Sequence, residues 1–387
     1  MPFAIFALAM GAFAISTTEF VILGLLLDVA SDFNVSIATA GMLISAYAAG
    51  VVIGAPLLTP ILARFPRKQV IVFLLCLFTV GNLIGALAPT YEILLASRLI
   101  TALVHASFYG LASIVASQLV SEDRQARAMS MVFMGATIAN VLGAPAGTLI
   151  GQAWGWRTTS YACAALGVLS ALIVAFVVPR VKTEKPAGLA KEFGALLQPK
   201  VLKALALTMI GFGGTFTLLT YIAPLLTQIT GYSESYVSAL LLVFGVGMAF
   251  GNPIGGWLTD KNLDTALRAT LGALMVVLLV IGVFAQVALV MPVLVFLFGA
   301  AMFATITPLQ VNAMKAAGDA PVMAASFNIA AFNLANVLAA SLGGMVIESN
   351  IGIVNLPYVA AGIAMLGLVL AFASSAKRRD STIMSAA

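Results

Sequence analysis

The sequence predicts an all-α membrane protein of twelve transmembrane helices in two pseudo-symmetric six-helix bundles. Three observations predict it: an extreme apolar composition, a one-sided placement of basic residues, and a repeat at about half the chain length. Of 387 residues, 62% are hydrophobic and 9% charged, and the mean hydropathy is +1.10. Soluble domains carry roughly a quarter charged residues. A chain this apolar has too few polar groups to clothe a surface in water, whereas a bilayer requires apolar side chains on the outside.

A helix that crosses hydrocarbon needs roughly 20 apolar residues. Runs of that size fall at 3–27, 37–63, 69–88, 92–120, 129–153, 158–179, 204–228, 236–258, 267–287, 290–313, 321–347 and 356–375. The first, Pro2 to Leu27, contains no Lys or Arg and exceeds the roughly 7–15-residue core of a signal peptide. It is expected to be an uncleaved first span. Cys76 and Cys163 fall inside apolar runs without metal-ligand spacing and read as small membrane-embedded hydrophobes.

Basic residues orient these spans. Arg64, Arg67 and Lys68 follow the second, and Arg124 and Arg127 the fourth. Arg180, Lys182, Lys185, Lys191, Lys200 and Lys203 flank the connection after the sixth. Lys261 and Arg268 follow the eighth, Lys315 the tenth, and Lys377, Arg378 and Arg379 form the tail. Of the 19 Lys and Arg, only Arg157 falls on the other face and only Arg98 inside a span. The positive-inside rule makes the basic face, with both termini, cytoplasmic. The net charge of +5 is therefore topological, and no nucleic-acid partner is expected. A bacterial cytoplasmic (inner) membrane is the expected location.

The repeat divides the spans into halves. Ala-Asn-Val-Leu occurs at 139–142 and at 335–338, and Gly147 matches Gly343 at the same offset. Gly54-Ala-Pro56 matches Gly251-Asn-Pro253, a register that sets Arg64 opposite Lys261. Two segments agreeing on one offset define an N-terminal bundle over 1–180, a cytoplasmic connection over 181–203 and a C-terminal bundle over 204–387. Parallel repeats of this type place a solute site near mid-membrane where the halves meet.

Polar residues inside the spans mark candidate sites, because a charge in hydrocarbon is costly unless protonated, paired or facing water. Glu19 is the one carboxylate deep in a span, and Arg98 and His105 are the intramembrane basic groups. Counting ~1.5 Å per residue from Asp28 and Glu92 sets Glu19 and Arg98 at comparable depths, so they are expected to meet directly or through water. His105, two turns beyond Arg98, either extends a proton path, hydrogen-bonds a solute or is satisfied by backbone. With no second His and no acidic cluster, no metal site is expected. Thr18, Phe108, Tyr109, Phe216, Thr220, Tyr221, Gln310 and Asn333 are candidates for a wet, aromatic-walled substrate cavity. Gly143, Gly147 and Gly151 form a four-residue ladder suited to close helix contact, and Pro145 removes a backbone donor and bends the helix.

Together these segments resemble the major facilitator superfamily, within it the twelve-helix drug:proton antiporter branch with its arabinose/sugar-, chloramphenicol- and purine-efflux permeases. The likeness rests on Thr17-Thr-Glu19-Phe, Ala40-Gly-Met-Leu-Ile-Ser-Ala-Tyr47, Arg98 in the fourth span (with Ala102 where Gly is usual) and Gly143-Ala-Pro145-Ala-Gly147. The loop after the second span departs from the superfamily pattern, with Thr59, Ala63 and Pro66 at its glycines and aspartate. It keeps Arg64, Arg67 and Lys68. The equivalent segment after the eighth span keeps Gly256, Leu258, Asp260 and Lys261. The resemblance implies a secondary transporter, not an enzyme, that exports a small organic solute in exchange for protons, with no cofactor beyond the proton gradient. It suggests Glu19 and Arg98 for proton coupling, Gly143, Pro145 and Gly147 of the fifth span for antiport gating and a charge-relay role for Asp260, a role not carried to the first loop. His105 joins the coupling candidates by its position, and Arg64, Arg67 and Lys261 join the gating candidates as the basic residues of the two repeated segments. A monomer is expected. The alternative of the same fold is a proton-coupled uptake symporter or an uncoupled facilitator; a membrane enzyme or receptor would need a catalytic constellation or a soluble domain.

Overall fold

In hydrocarbon every backbone N–H and C=O must find its partner within its own segment, so apolar runs become helices. The computed structural model describes residues 2–386 except 36, 63, 182–193, 319 and 350. It has 12 helical segments long and apolar enough to cross a membrane. Lys182, Lys185 and Lys191 and most of the expected connection over 181–203 lie outside the described residues. The seventh spanning helix already begins at Pro199, inside that expected connection.

The first six spans are built from α1 (Phe3–Val21), α3 (Ile37–Leu62), α4 (Arg67–Ala86), α5 (Tyr91–Gln118), α6 (Gln125–Ile138) with α7 (Ala144–Trp154), and α8 (Trp156–Val177). The first apolar run, expected as one span over 3–27, is not one helix. It ends at Val21, passes through a tighter 3₁₀ turn at Ile22–Gly24 and continues as a short α2 (Leu26–Asp32). The fifth span is also interrupted: a wide π turn at Ala139–Gly143 joins α6 to α7 just before Pro145. The later spans comprise α9 (Pro199–Leu219), α10 (Glu234–Lys261), α11 (Leu263–Phe284), α12 (Met291–Ala304) with α13 (Ile306–Ala317), α14 (Pro321–Glu348) and α15 (Leu356–Ala386).

The chain forms two compact units, Met1–Val201 with Ala313–Asn333, and Leu202–Asn312 with Leu334–Ala387. Their internal pairings repeat. In the first, α3 packs on α5, α4 on α8 and α4 on α5; in the second, the equivalent pairs are α10 on α12, α11 on α15 and α11 on α12. The glycines singled out by the repeat explain how closely the first of these pairs approach. A Cβ on Gly54 of α3 would lie 2.7 Å from the backbone oxygen of Leu103 in α5, and one on Gly251 of α10 would strike the carbonyl of Ala300 in α12. Without a hydrophobic drive between helices in lipid, such small-residue contacts carry the packing. Pro56 and Pro253 sit inside α3 and α10 two residues beyond these glycines.

Turns between spans are correspondingly tight. Gly155 alone links α7 to α8 at φ 88°, a backbone conformation that a Cβ disfavours. Asn262 alone links α10 to α11, and its side-chain oxygen accepts the Thr265 N–H at 2.8 Å as an N-cap. Asp260 and Lys261 therefore occupy the last turn of α10 rather than a loop.

Candidate functional site

The last carbonyls of a helix have no partner in the helix itself, and α1 ends inside the apolar run, where water does not replace them. Arg98 of α5 fills this need. Its Nη1 donates to the Thr18 carbonyl at 2.6 Å and its Nη2 to the Glu19 carbonyl at 3.3 Å. A guanidinium at a helix C-terminus also opposes the negative end of the dipole. The cation lies 4.5 Å from the centre of the Tyr47 ring on α3, within cation–π range. Arg98 is 6% exposed, and its Nε has no hydrogen-bond partner among the described residues. A cavity of about 30 Å³ beside it is lined by Thr18, Asn82, Ser97, Thr101 and Cys163, with room and polarity for an ordered water.

Arg98 thus meets residue 19 through its backbone. The Glu19 carboxylate faces a different partner: Oε2 lies 3.8 Å from Nδ1 of His105, an ion-pair distance rather than a hydrogen bond. The same Nδ1 lies 3.2 Å from the Tyr47 hydroxyl. A neutral imidazole protonated on Nε2 accepts from the Tyr47 hydroxyl, and one protonated on Nδ1 donates to it. His105 stacks on Tyr109 at 4.8 Å, and Tyr109 stacks on Phe133 of α6 at 5.5 Å. The Tyr109 hydroxyl lies 2.8 Å from Ser16 Oγ and donates to the Ala12 carbonyl at 3.2 Å. The imidazole plane is fixed by these rings.

Of the expected cavity residues, Phe108 is wholly buried and its ring fills the space over Gly11 of α1. Tyr109 bonds α1 as described. Thr18 donates to Asn82 Oδ1 of α4 at 3.1 Å. In this structure these three hold helices together. In the second unit, Phe216 packs edge-on against Phe212, and Thr220 is exposed with its hydroxyl on the Phe216 carbonyl at 2.8 Å. Tyr221 covers Gly343 and Gly344 of α14, and Gln310 is fully buried in α13. Asn333 of the first unit, half-buried, donates to the Ile329 carbonyl at 3.0 Å.

The expected gating residues fall in two places. The glycine ladder of the fifth span lies along α1: Gly143 sits against Thr17, and a Cβ on Gly147 would come within 2.6 Å of Val21. Its repeat mate Gly343 lies under Tyr221, two residues past the end of α9. Pro145 opens α7 directly after the π turn. Arg64 is exposed in the turn after α3, Arg67 is buried at the start of α4, and Lys261 lies over the Trp257 ring at 3.7 Å.

Two clusters were not singled out from the sequence. Tyr47, quoted only as the end of the second-span stretch that carries the resemblance, and Asn82 lie in long apolar runs, with nothing in their spacing to connect them to His105 or Thr18. Arg157, flagged as the lone exception to the charge asymmetry, forms an outer clamp. It bonds the Asp32 carboxylate and the Ala88 carbonyl, the latter at 3.0 Å, while Trp156 Nε1 donates to the same carboxylate at 3.2 Å. Its guanidinium also lies over the Trp156 and Phe33 rings.

Twelve spans, repeated helix pairings and buried polar groups in mid-helix define a membrane transport protein. The chain belongs to the Major Facilitator Superfamily, whose family profile matches residues 8–330. It is similar to the inner membrane transport protein YdhP of Escherichia coli K12, at 43% identity over 97% of this chain and 96% of that protein. It is 33% identical to a chloramphenicol resistance protein of Streptomyces lividans over 91% and 90% of the two chains. It is 28% identical to a probable sugar efflux transporter of Helicobacter pylori over 94% and 93%. The fold also matches the crystal structure of FucP with a TM-score of 0.76, at 17% identity over 96% of this chain and 98% of that one. The chain is therefore a multi-pass transporter of small molecules and not an enzyme.

Proposed function

We propose that this chain is a proton-coupled efflux antiporter that exports a small organic solute by alternating access of its two six-helix halves, 1–180 and 204–387. The observation that carries the reading is the Glu19–His105 approach at 3.8 Å, with Tyr47 on the same imidazole nitrogen. A carboxyl and an imidazole among apolar helices are costly to retain without a function, and together they form a device for accepting and releasing a proton. Arg98 supports the device by fixing the end of α1 on which Glu19 sits. The efflux direction draws on the sugar efflux and chloramphenicol resistance relatives. A neutral or cationic amphipath suits the intramembrane residues better than a phosphorylated solute, which would call for more than one intramembrane cation. The basic residues support cytoplasmic placement of both termini, and similarity to an inner membrane transport protein supports a bacterial inner membrane.

The test is transport in proteoliposomes with an imposed pH gradient, using radiolabelled chloramphenicol and arabinose as probes. Antiport expects solute to move against the proton gradient and Glu19→Gln to abolish gradient-driven flux while retaining solute binding. Flux that follows the protons inward would establish the symporter, and flux unchanged when the gradient is collapsed would establish the facilitator.

A further inference from the structure

At the basic end of the first unit, the start of α4 and the end of α8 leave a groove of about 720 Å³, within the usual range of ligand pockets. Three cations line it: Arg67 and Lys68 in the first turn of α4, and Arg180 just past α8. Among the described residues, none that lines it is acidic. Below the cations the lining becomes apolar, with Val72 and Phe73 about one to two turns along α4 and Ala175 on α8. Phe73 is half exposed, and Leu172 and Phe176 of α8 are exposed nearby in sequence. The amides at the start of α4, a 20-residue helix, add partial positive charge at the same level.

Cations above an apolar trough, on the outside of a membrane bundle, match one ligand chemistry: an anionic head group carrying an acyl chain. A soluble anion would use the cations and leave the trough unfilled; a zwitterionic lipid would fill the trough and bring no net charge. Basic pockets between spanning helices at the membrane surface have this preference. We propose that the α4–α8 groove is a binding site for an anionic diacyl phospholipid, with the phosphate held by Arg67, Lys68 and Arg180 and an acyl chain along Val72 and Phe73.

The full chain in neutral detergent is titrated with phosphatidylglycerol, with phosphatidylcholine of identical acyl chains, and with inorganic phosphate, and bound adducts are counted by native mass spectrometry. Phosphatidylglycerol is expected to bind preferentially. The K68Q/R180Q double variant, which changes a half-buried and an exposed side chain, is expected to weaken that binding roughly ten- to thirtyfold, the scale of two basic contacts to an anionic lipid surface. Arg124→Gln, which removes an exposed charge outside the groove, is expected to leave it unchanged. Equal affinity for phosphatidylcholine, an unaltered double variant, or an equal loss in Arg124→Gln would each overturn the proposal. Displacement of the lipid by equimolar inorganic phosphate would overturn it in favour of a free-anion site.

Discussion

Arg98 Nη1 lies 2.6 Å from the carbonyl oxygen of Thr18. An arginine deep within a span is therefore joined to the backbone that carries the Glu19 carboxylate. It closes α1 where the α-helix gives way to the 3₁₀ turn at Ile22–Gly24, and this leaves the Glu19 side chain to face His105.

If Arg98 is a cap, its loss is a stability effect before it is a transport effect. Arg98→Met is expected to cost roughly 2–3 kcal/mol, the scale of a charge-assisted hydrogen bond whose acceptor is left buried. Arg98→Lys should recover only part of this, because a single ammonium does not reproduce the planar fork across two carbonyls. Equilibrium unfolding in detergent micelles measures both; a Met variant as stable as the parent would show that the carbonyls are satisfied some other way.

Tyr47 is expected to tune the Glu19–His105 pair. Tyr47→Phe removes the hydroxyl 3.2 Å from Nδ1 and leaves the ring under Arg98. Losing one hydrogen bond of about 1 kcal/mol should change gradient-driven flux by about fivefold, with solute affinity little altered. An unchanged pH profile of transport would argue that the phenol takes no part in proton handling.

The repeat glycines give a graded series. Gly54→Ala and Gly251→Ala place a methyl against backbone atoms of Leu103 and Ala300, which have no rotamer to yield, so overpacking of about 1–3 kcal/mol is expected at each. Gly41→Ala in α3 meets nothing within 4 Å and should be neutral or stabilising by up to about 1 kcal/mol from helix propensity. Thermal midpoints of the three variants rank them; equal midpoints would contradict the packing assigned to the repeat.

The outer clamp predicts an acid dependence. Hydrogen bonding from Arg157 is the main reason the Asp32 carboxyl sits below its ordinary value. A carboxylate with a depressed folded-state pKa contributes stability above its unfolded pKa and loses it as pH falls through the folded one. Opening of the α2–α8 contact is thus expected only below about pH 4, and the effect is modest because both partners are more than a third exposed. Hydrogen exchange at Trp156 Nε1 against pH reports it; Asp32→Asn should remove the dependence below pH 4 and open the contact at neutral pH.

The number of spans was legible because apolar length is a local property; the pairing pattern was not, since the repeat matched Gly54 to Gly251 without saying which helix each would approach. The interruption of α1 was not legible: residues 22–27 are as apolar as those before them, and only the guanidinium arriving from α5 makes the broken end affordable. Depth counting brought Arg98 to the level of Glu19 but not to the correct atoms, because it fixes height along the membrane normal and says nothing of which way a side chain turns. The contacts of Tyr47 and Asn82 were hidden for a related reason, since scattered polar residues in apolar runs carry no periodicity that points to a partner.

By itself the sequence determined what a bilayer imposes: twelve apolar helices, their alternating direction expected from charge, a two-fold repeat, and the few ionisable groups that hydrocarbon tolerates only for a reason. The tertiary structure decided which of those groups meet. It set His105 against the Glu19 carboxylate and Arg98 against the Thr18 and Glu19 carbonyls, because those contacts depend on the rotation and spacing of α1, α3 and α5. Rotation and spacing are set by small-residue packing between helices distant in sequence, which no local pattern records.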